Sequence, residues 1–94
     1  MCQFYYPKFE EQGVSYPKEI KFRTMTSKWG CCRPQRGILT FNNNLFEVPL
    51  ECTAYVVVHE FAHFIEANHS ARFYRQVEKV MPDYRNRMKL LNDF

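Results

Sequence analysis

His59-Glu60-Phe61-Ala62-His63 sets two imidazoles four residues apart. On an α-helix four residues make a rotation of about 400° and a rise of about 6 Å, so both rings leave one face and can reach a single cation. Glu60 lies one residue round. Its carboxylate falls beside such a cation rather than on it, where it can take a proton from water and return it to a leaving group. A catalytic zinc takes three protein ligands and keeps one position open. His69 is the third candidate, since the chain's 3 histidines all fall between positions 59 and 69. It stands too far beyond His63 to share one helical face. The helix must therefore end near Ala67 and the backbone turn back at Asn68, a residue that tolerates the left-handed conformation such a stop requires. Three imidazoles favour Zn2+ over manganese or iron. The competing account, ordinary core histidines with a surface glutamate, would leave two imidazoles and a carboxylate buried without partners in an otherwise apolar helix.

The elements that must position these groups are legible as a change of period. Ile20, Phe22, Thr24 and Thr26 alternate with Lys21, Arg23, Met25 and Ser27, a strand pattern beginning at Glu19. A second short strand spans Gly37 to Asn42, and the intervening loop Gly30 to Arg36 is rich in Gly, Pro and Arg. The simplest pairing is an antiparallel hairpin. Pro49 suits a first helical turn and opens a helix from about Leu50 to Ala67, apolar nearly all round and therefore buried. Ser70 is an N-cap for a helix Ala71 to Val80, Pro82 ends it, and Asp83 to Asn92 resumes the helical period. Residues 1–16, aromatic and interrupted by Pro7, carry a turn signal at Gln12-Gly13 and are assigned no further element. The class is α+β: a small antiparallel hairpin or sheet, a buried metal-binding helix and two further helices in one domain, residues 1–94.

A chain of 94 residues, 46% hydrophobic, is short enough that a bound metal would add materially to a marginal core. The net charge of +3 is unevenly spread. Six basic residues stand against Glu19 alone between Lys18 and Arg36, whereas Gly37 to Ala71 holds four glutamates and no Lys or Arg. The sum is too small to imply a nucleic-acid partner, and the basic stretches on either side of the acidic one could attract an anionic substrate. Cys2, Cys31, Cys32 and Cys52 form neither a dispersed disulfide framework nor a C-x-x-C pair, so all four are read as reduced thiols. The longest purely apolar run, Ala54 to Val58, is far too short for a membrane span, and the first residues lack a signal-peptide core. A cytoplasmic chain with no membrane partner is expected.

Beyond the histidine motif, the chain resembles the YgjP-like metallopeptidase domain family, a branch of the zincins related more distantly to SprT-like and WLM domains. The resemblance covers about Pro17 to Leu91 and rests on several segments in order. They are Arg23 with Ser27-Lys28-Trp29-Gly30-Cys31-Cys32, Tyr55-Val56-Val57-Val58-His59-Glu60-Phe61-Ala62-His63, Asn68-His69-Ser70, Phe73-Tyr74 and Pro82-Asp83-Tyr84. Cys31 stands where the family usually has Ser, Tyr74 where it usually has Trp, and members generally carry a longer N-terminal β region. The resemblance implies a zincin-like fold and a metal-dependent hydrolase, most specifically a zinc metallopeptidase acting on a peptide or protein. It agrees with His59, His63 and His69 as metal ligands and Glu60 as general base.

Two other readings compete. The basic loop Lys28 to Arg36 would suit a nucleotide phosphoanhydride hydrolase on the same metal, and a structural zinc would suit a non-catalytic binding module. For a peptidase, the strand Gly37 to Asn42 is the expected edge along which a peptide would lie. Tyr84, Arg72 and Asn42 are the candidates for a further oxyanion donor. Trp29, Cys31 and Cys32 fall in the segment that the resemblance places against the helix, and packing is their expected role, with a redox or metal-capping role as the alternative for Cys31.

Overall fold

The computed structural model describes residues 2–94. The elements in chain order are α1 (Cys2–Glu10), β1 (Glu19–Arg23), β2 (Gly30–Arg33), β3 (Ile38–Asn42), a 3-10 turn (Asn43–Glu47), α2 (Leu50–Ala62), α3 (Ala71–Val80) and α4 (Tyr84–Leu91). The protein is α+β, with a three-stranded mixed sheet and four helices among the described residues. No helix among the described residues is long and apolar enough to cross a membrane.

The sheet corrects the expected hairpin. Its order is β1-β3-β2, so β1 and β2 never touch. β1 runs parallel to β3, with Glu19 opposite Ile38 and Arg23 opposite Asn42, whereas β2 is the antiparallel partner, with Gly30 opposite Phe41 and Arg33 opposite Ile38. The physical cause is Asn42, a buried carboxamide at the end of β3. Its Nδ2 donates to the carbonyls of Met25 (2.8 Å) and Lys28 (2.7 Å), and its main-chain N–H donates to the Trp29 carbonyl (3.0 Å). These bonds stop β1 at Arg23 and swing Gly30–Arg33, expected as loop, onto the opposite side of β3. A turn at Pro34 to Gly37 then closes the hairpin, with Gly37 at φ 68°, a conformation glycine adopts without a Cβ penalty. The Lys18 N–H donates to the Gly37 carbonyl (2.8 Å), which sets the start of β1 beside the start of β3 and makes that pair parallel. β3 is thus the central strand and has no free edge, so it cannot be the expected peptide-binding edge.

α2 contains three consecutive valines, which are indifferent helix formers. It forms because nine of its thirteen residues are buried, so packing outweighs propensity. Pro49 caps this helix rather than entering its first turn. α3 begins as its cap signal requires: the Ser70 hydroxyl accepts from the Phe73 N–H at 3.4 Å. The N-terminal segment, given no element from sequence, folds as α1 and docks on α2 by stacking Phe9 on Phe61, with ring centroids 5.3 Å apart and both rings fully buried. Burying a phenyl ring contributes about 2–3 kcal/mol, enough to fix a short helix that carries Pro7 within it. The turn at Gln12-Gly13 follows, with Gly13 at φ 88°.

Candidate metal centre

α2 ends earlier than its periodicity suggests. Beyond Ala62 the N–H groups of His63, Phe64 and Ile65 bond to the carbonyls of Glu60, Phe61 and Ala62 (3.2, 3.0 and 3.0 Å), a tightened 3-10 exit closed by one last α-type bond from the Glu66 N–H to the Ala62 carbonyl (3.0 Å). Among the described residues only Gly13 and Gly37 have positive φ, so Asn68 makes no left-handed stop. The tight exit brings the chain back within a few residues, and His69 arrives just before the Ser70 cap of α3.

The result is a cluster. The ligand-capable nitrogens of His59, His63 and His69 all lie within 4.8 Å of one another. Nε2 of His59 is 3.1 Å from Nε2 of His69, whereas two nitrogens about 2.0–2.1 Å from one tetrahedral zinc would stand about 3.3–3.4 Å apart. Fully buried Phe73 backs the group, its ring centroid 4.9, 4.6 and 5.0 Å from those of His59, His63 and His69. From sequence, Phe73 entered as part of the Phe73-Tyr74 segment of the family resemblance, with no place behind the histidines.

The protonation states favour metal binding. Burial, then the neighbouring His63 and His69, pushes His59 down to about 4, and burial followed by His69 lowers His63. Neutral imidazoles are the form that ligates. The Glu66 carbonyl, 3.3 Å from His63 Nδ1, can only accept, so the proton on that ring sits on Nδ1 and Nε2 is left with a lone pair. On His59 the Nδ1 faces the Tyr55 hydroxyl at 3.1 Å, one helical turn earlier, which turns Nε2 towards the cluster. Tyr55 was missed from sequence, although its i, i+4 offset from His59 is the signal that could have found it. The donor set and its orientation fit a zinc-type cation.

Glu60 is buried at 6% exposure against β2. Burial raises its carboxyl to about 7, with Lys28 opposing the shift. A Cβ added to Gly30 would lie 2.9 Å from Glu60 Cγ and 3.0 Å from its Oε2, so β2 passes over the carboxylate only because position 30 has no side chain. Gly30→Ala should displace the Glu60 carboxylate and destabilise the fold by about 1–3 kcal/mol. A variant with wild-type melting temperature and turnover would show that the contact relaxes freely.

In protein freed of metal by chelation, His59 and Glu60 give opposite pH dependences. His59 titrates below its ordinary 6.5, so the stability it contributes is present above that value and lost as pH falls towards about 4. Glu60 titrates above its ordinary 4.5, so its contribution is full below that value and lost as pH rises through about 7. Glu60→Gln removes the second effect alone. Its stability advantage over wild type should widen between the two pH values, by up to about 3 kcal/mol. A gap independent of pH in thermal melts would contradict burial of Glu60 as an acid.

A cavity of about 380 Å3 opens over these groups, lined by His59, Glu60, His63 and His69 on one side and by Lys28 and the β2 residues Gly30, Cys31 and Cys32 on the other. None of the expected oxyanion donors lines it. Asn42 spends its carboxamide on the Met25–Lys28 loop, Arg72 pairs with Glu66 (3.7 Å), and Tyr84 is buried against Tyr74 with its hydroxyl accepting from Arg85. All four cysteines are free. Cys32 packs on the core, and its thiol is pushed up to about 12 by burial first and then by Glu60 and Cys31, while half-buried Cys31 reaches the cavity.

No curated protein matches the chain. The crystal structure of the metallopeptidase zymogen of Pyrococcus abyssi abylysin is similar over 94% of this chain and 91% of that one, with a TM-score of 0.71 and 23% identity, a likeness of fold. The sequence model of the YgjP-like metallopeptidase domain matches residues 2–94. The chain therefore belongs to the YgjP-like metallopeptidase domain family.

Proposed function

We propose that the protein is a zinc metallopeptidase in which His59, His63 and His69 hold the metal and Glu60 is the general base. The observation that carries this reading is the convergence of three imidazole donors with a buried carboxylate one residue round the helix that supplies two of them. A bound zinc supplies Lewis acidity to water and to a carbonyl oxygen. The chain's own residues do the rest. Glu60, with a pKa near 7, is poised to take a proton from water and hand it to the leaving amine. Tyr55 and the Glu66 carbonyl orient two of the rings, as outer partners of metal ligands do.

The β2 edge suits a peptide. Trp29 and Asn42 form a hydrogen-bonded pair, so by antiparallel alternation Cys31 bonds to Thr40 while Gly30 and Cys32 turn their N–H and C=O groups away from β3. Those groups border the cavity over Glu60 and can pair with an extended main chain irrespective of its sequence. The test is a parallel assay of zinc-loaded protein on an unfolded protein and on nucleoside triphosphates. Peptide-bond cleavage with no phosphate release is expected. Phosphate or pyrophosphate release without peptide cleavage would replace the peptidase by a phosphoanhydride hydrolase, and a zinc-stabilised fold inert on both would leave a binding module.

A further inference from the structure

The cavity over the histidines does not end at His69. A second hollow of about 470 Å3 continues from it, sharing Pro34, His63 and Ala67 as common walls. Its lining includes the exposed Arg33 and Arg36 together with the half-buried Phe64 and Ile65. Neither arginine enters an ion pair among the described residues, where the pairs are Lys21–Glu19, Arg72–Glu66 and Arg87–Asp83. Among the described residues the only acidic side chain lining either hollow is Glu60, which is buried. Two arginines outside any of these ion pairs, beside apolar side chains, suit a carboxylate, since guanidinium binds that group with two parallel hydrogen bonds.

The spacing ties this hollow to the cleavage point. Gly30 lies on Glu60, and Arg33 is three residues further along β2, about 10 Å at about 3.3 Å per residue. A peptide extended along that edge with its reacting carbonyl at Glu60 sets a side chain two or three residues away beside Arg33. We propose that Arg33 and Arg36 form a subsite for an acidic side chain, so that the substrate is a peptide bearing Asp or Glu two or three residues from the bond cleaved. This inference rests on the peptidase reading. The phosphates of a nucleotide would also meet two guanidinia, but the unpaired main-chain groups of Gly30 and Cys32 match a peptide backbone.

Quenched fluorescent peptides of one common sequence, with Glu, Gln or Lys at the second and third positions on each side of the cut, test the proposal. Zinc-loaded wild type should cleave the best-placed Glu peptide about tenfold more efficiently in kcat/KM than its Gln counterpart, and the Lys peptide least well. Arg33→Glu with Arg36→Glu should reverse the order, and the milder Arg33→Gln should flatten it. Binding gives a readout free of turnover: on Glu60→Gln, the Glu peptide should bind more tightly than the Lys peptide, with an advantage that shrinks as salt rises. Cleavage of all three peptides at one rate, or an order unchanged in the folded double variant, would overturn the subsite and leave the peptidase standing. Cleavage of none of them, with Glu60-dependent phosphate release from a nucleoside triphosphate, would overturn both.

Discussion

Glu60→Gln is expected to lower kcat/KM by about 10²–10⁴, the usual contribution of a positioned general base, with zinc content unchanged. Glutamine keeps the shape of the side chain that Gly30 accommodates, so the contact with β2 survives and only the titratable proton is lost. It is also neutral at every pH, which suits a position at 6% exposure. The variant should therefore be at least as stable as wild type at neutral pH while failing to turn over. Metal analysis, thermal melts and peptide cleavage measured together separate the outcomes. Turnover retained in a zinc-loaded variant would remove Glu60 from the chemistry, and zinc lost along with turnover would make it a ligand or a support of one.

His63→Ala should abolish metal binding, taking zinc from about one equivalent to near zero. His63 Nδ1 is held by the Glu66 carbonyl at 3.3 Å, and its ring lies against Phe73, so no other side chain in the cluster can replace it. Two imidazoles would remain, too few for a stable closed site. Stability should follow the metal. With free zinc at about a hundred times its dissociation constant, wild type gains about 2.7 kcal/mol, or about 10–20 °C in a domain of this size. A chelator should thus lower the wild-type melting temperature by that amount and leave the variant where it was. Wild-type zinc content in His63→Ala would sink the three-histidine site, and a wild-type melt unmoved by chelation would show that the fold does not depend on metal.

The sequence by itself determined what rests on local rules. The i, i+4 offset of His59 and His63 placed two imidazoles on one helical face, Ser70 marked the start of α3, and the apolar girth of α2 required its burial. Period-two alternation also gave β1 its existence, because side-chain alternation is a property of the extended backbone itself. Which strand pairs with which, and in what direction, is not local. A six-residue connection from Thr24 to Trp29 could have closed a hairpin, but the Asn42 carboxamide captures Met25 and Lys28 instead, leaving β1 parallel to β3 and β2 on the edge that lines the histidine cavity. Tertiary packing likewise decided α1, since Phe9 needs Phe61 to stack upon before a helix containing Pro7 is stable. The meeting of Gly30 with Glu60, and the Phe73 ring behind all three imidazoles, depend on how β2 and α3 close over α2. Periodicity reports which face of an element is apolar, whereas the neighbour that covers the face is chosen only when the whole chain has packed.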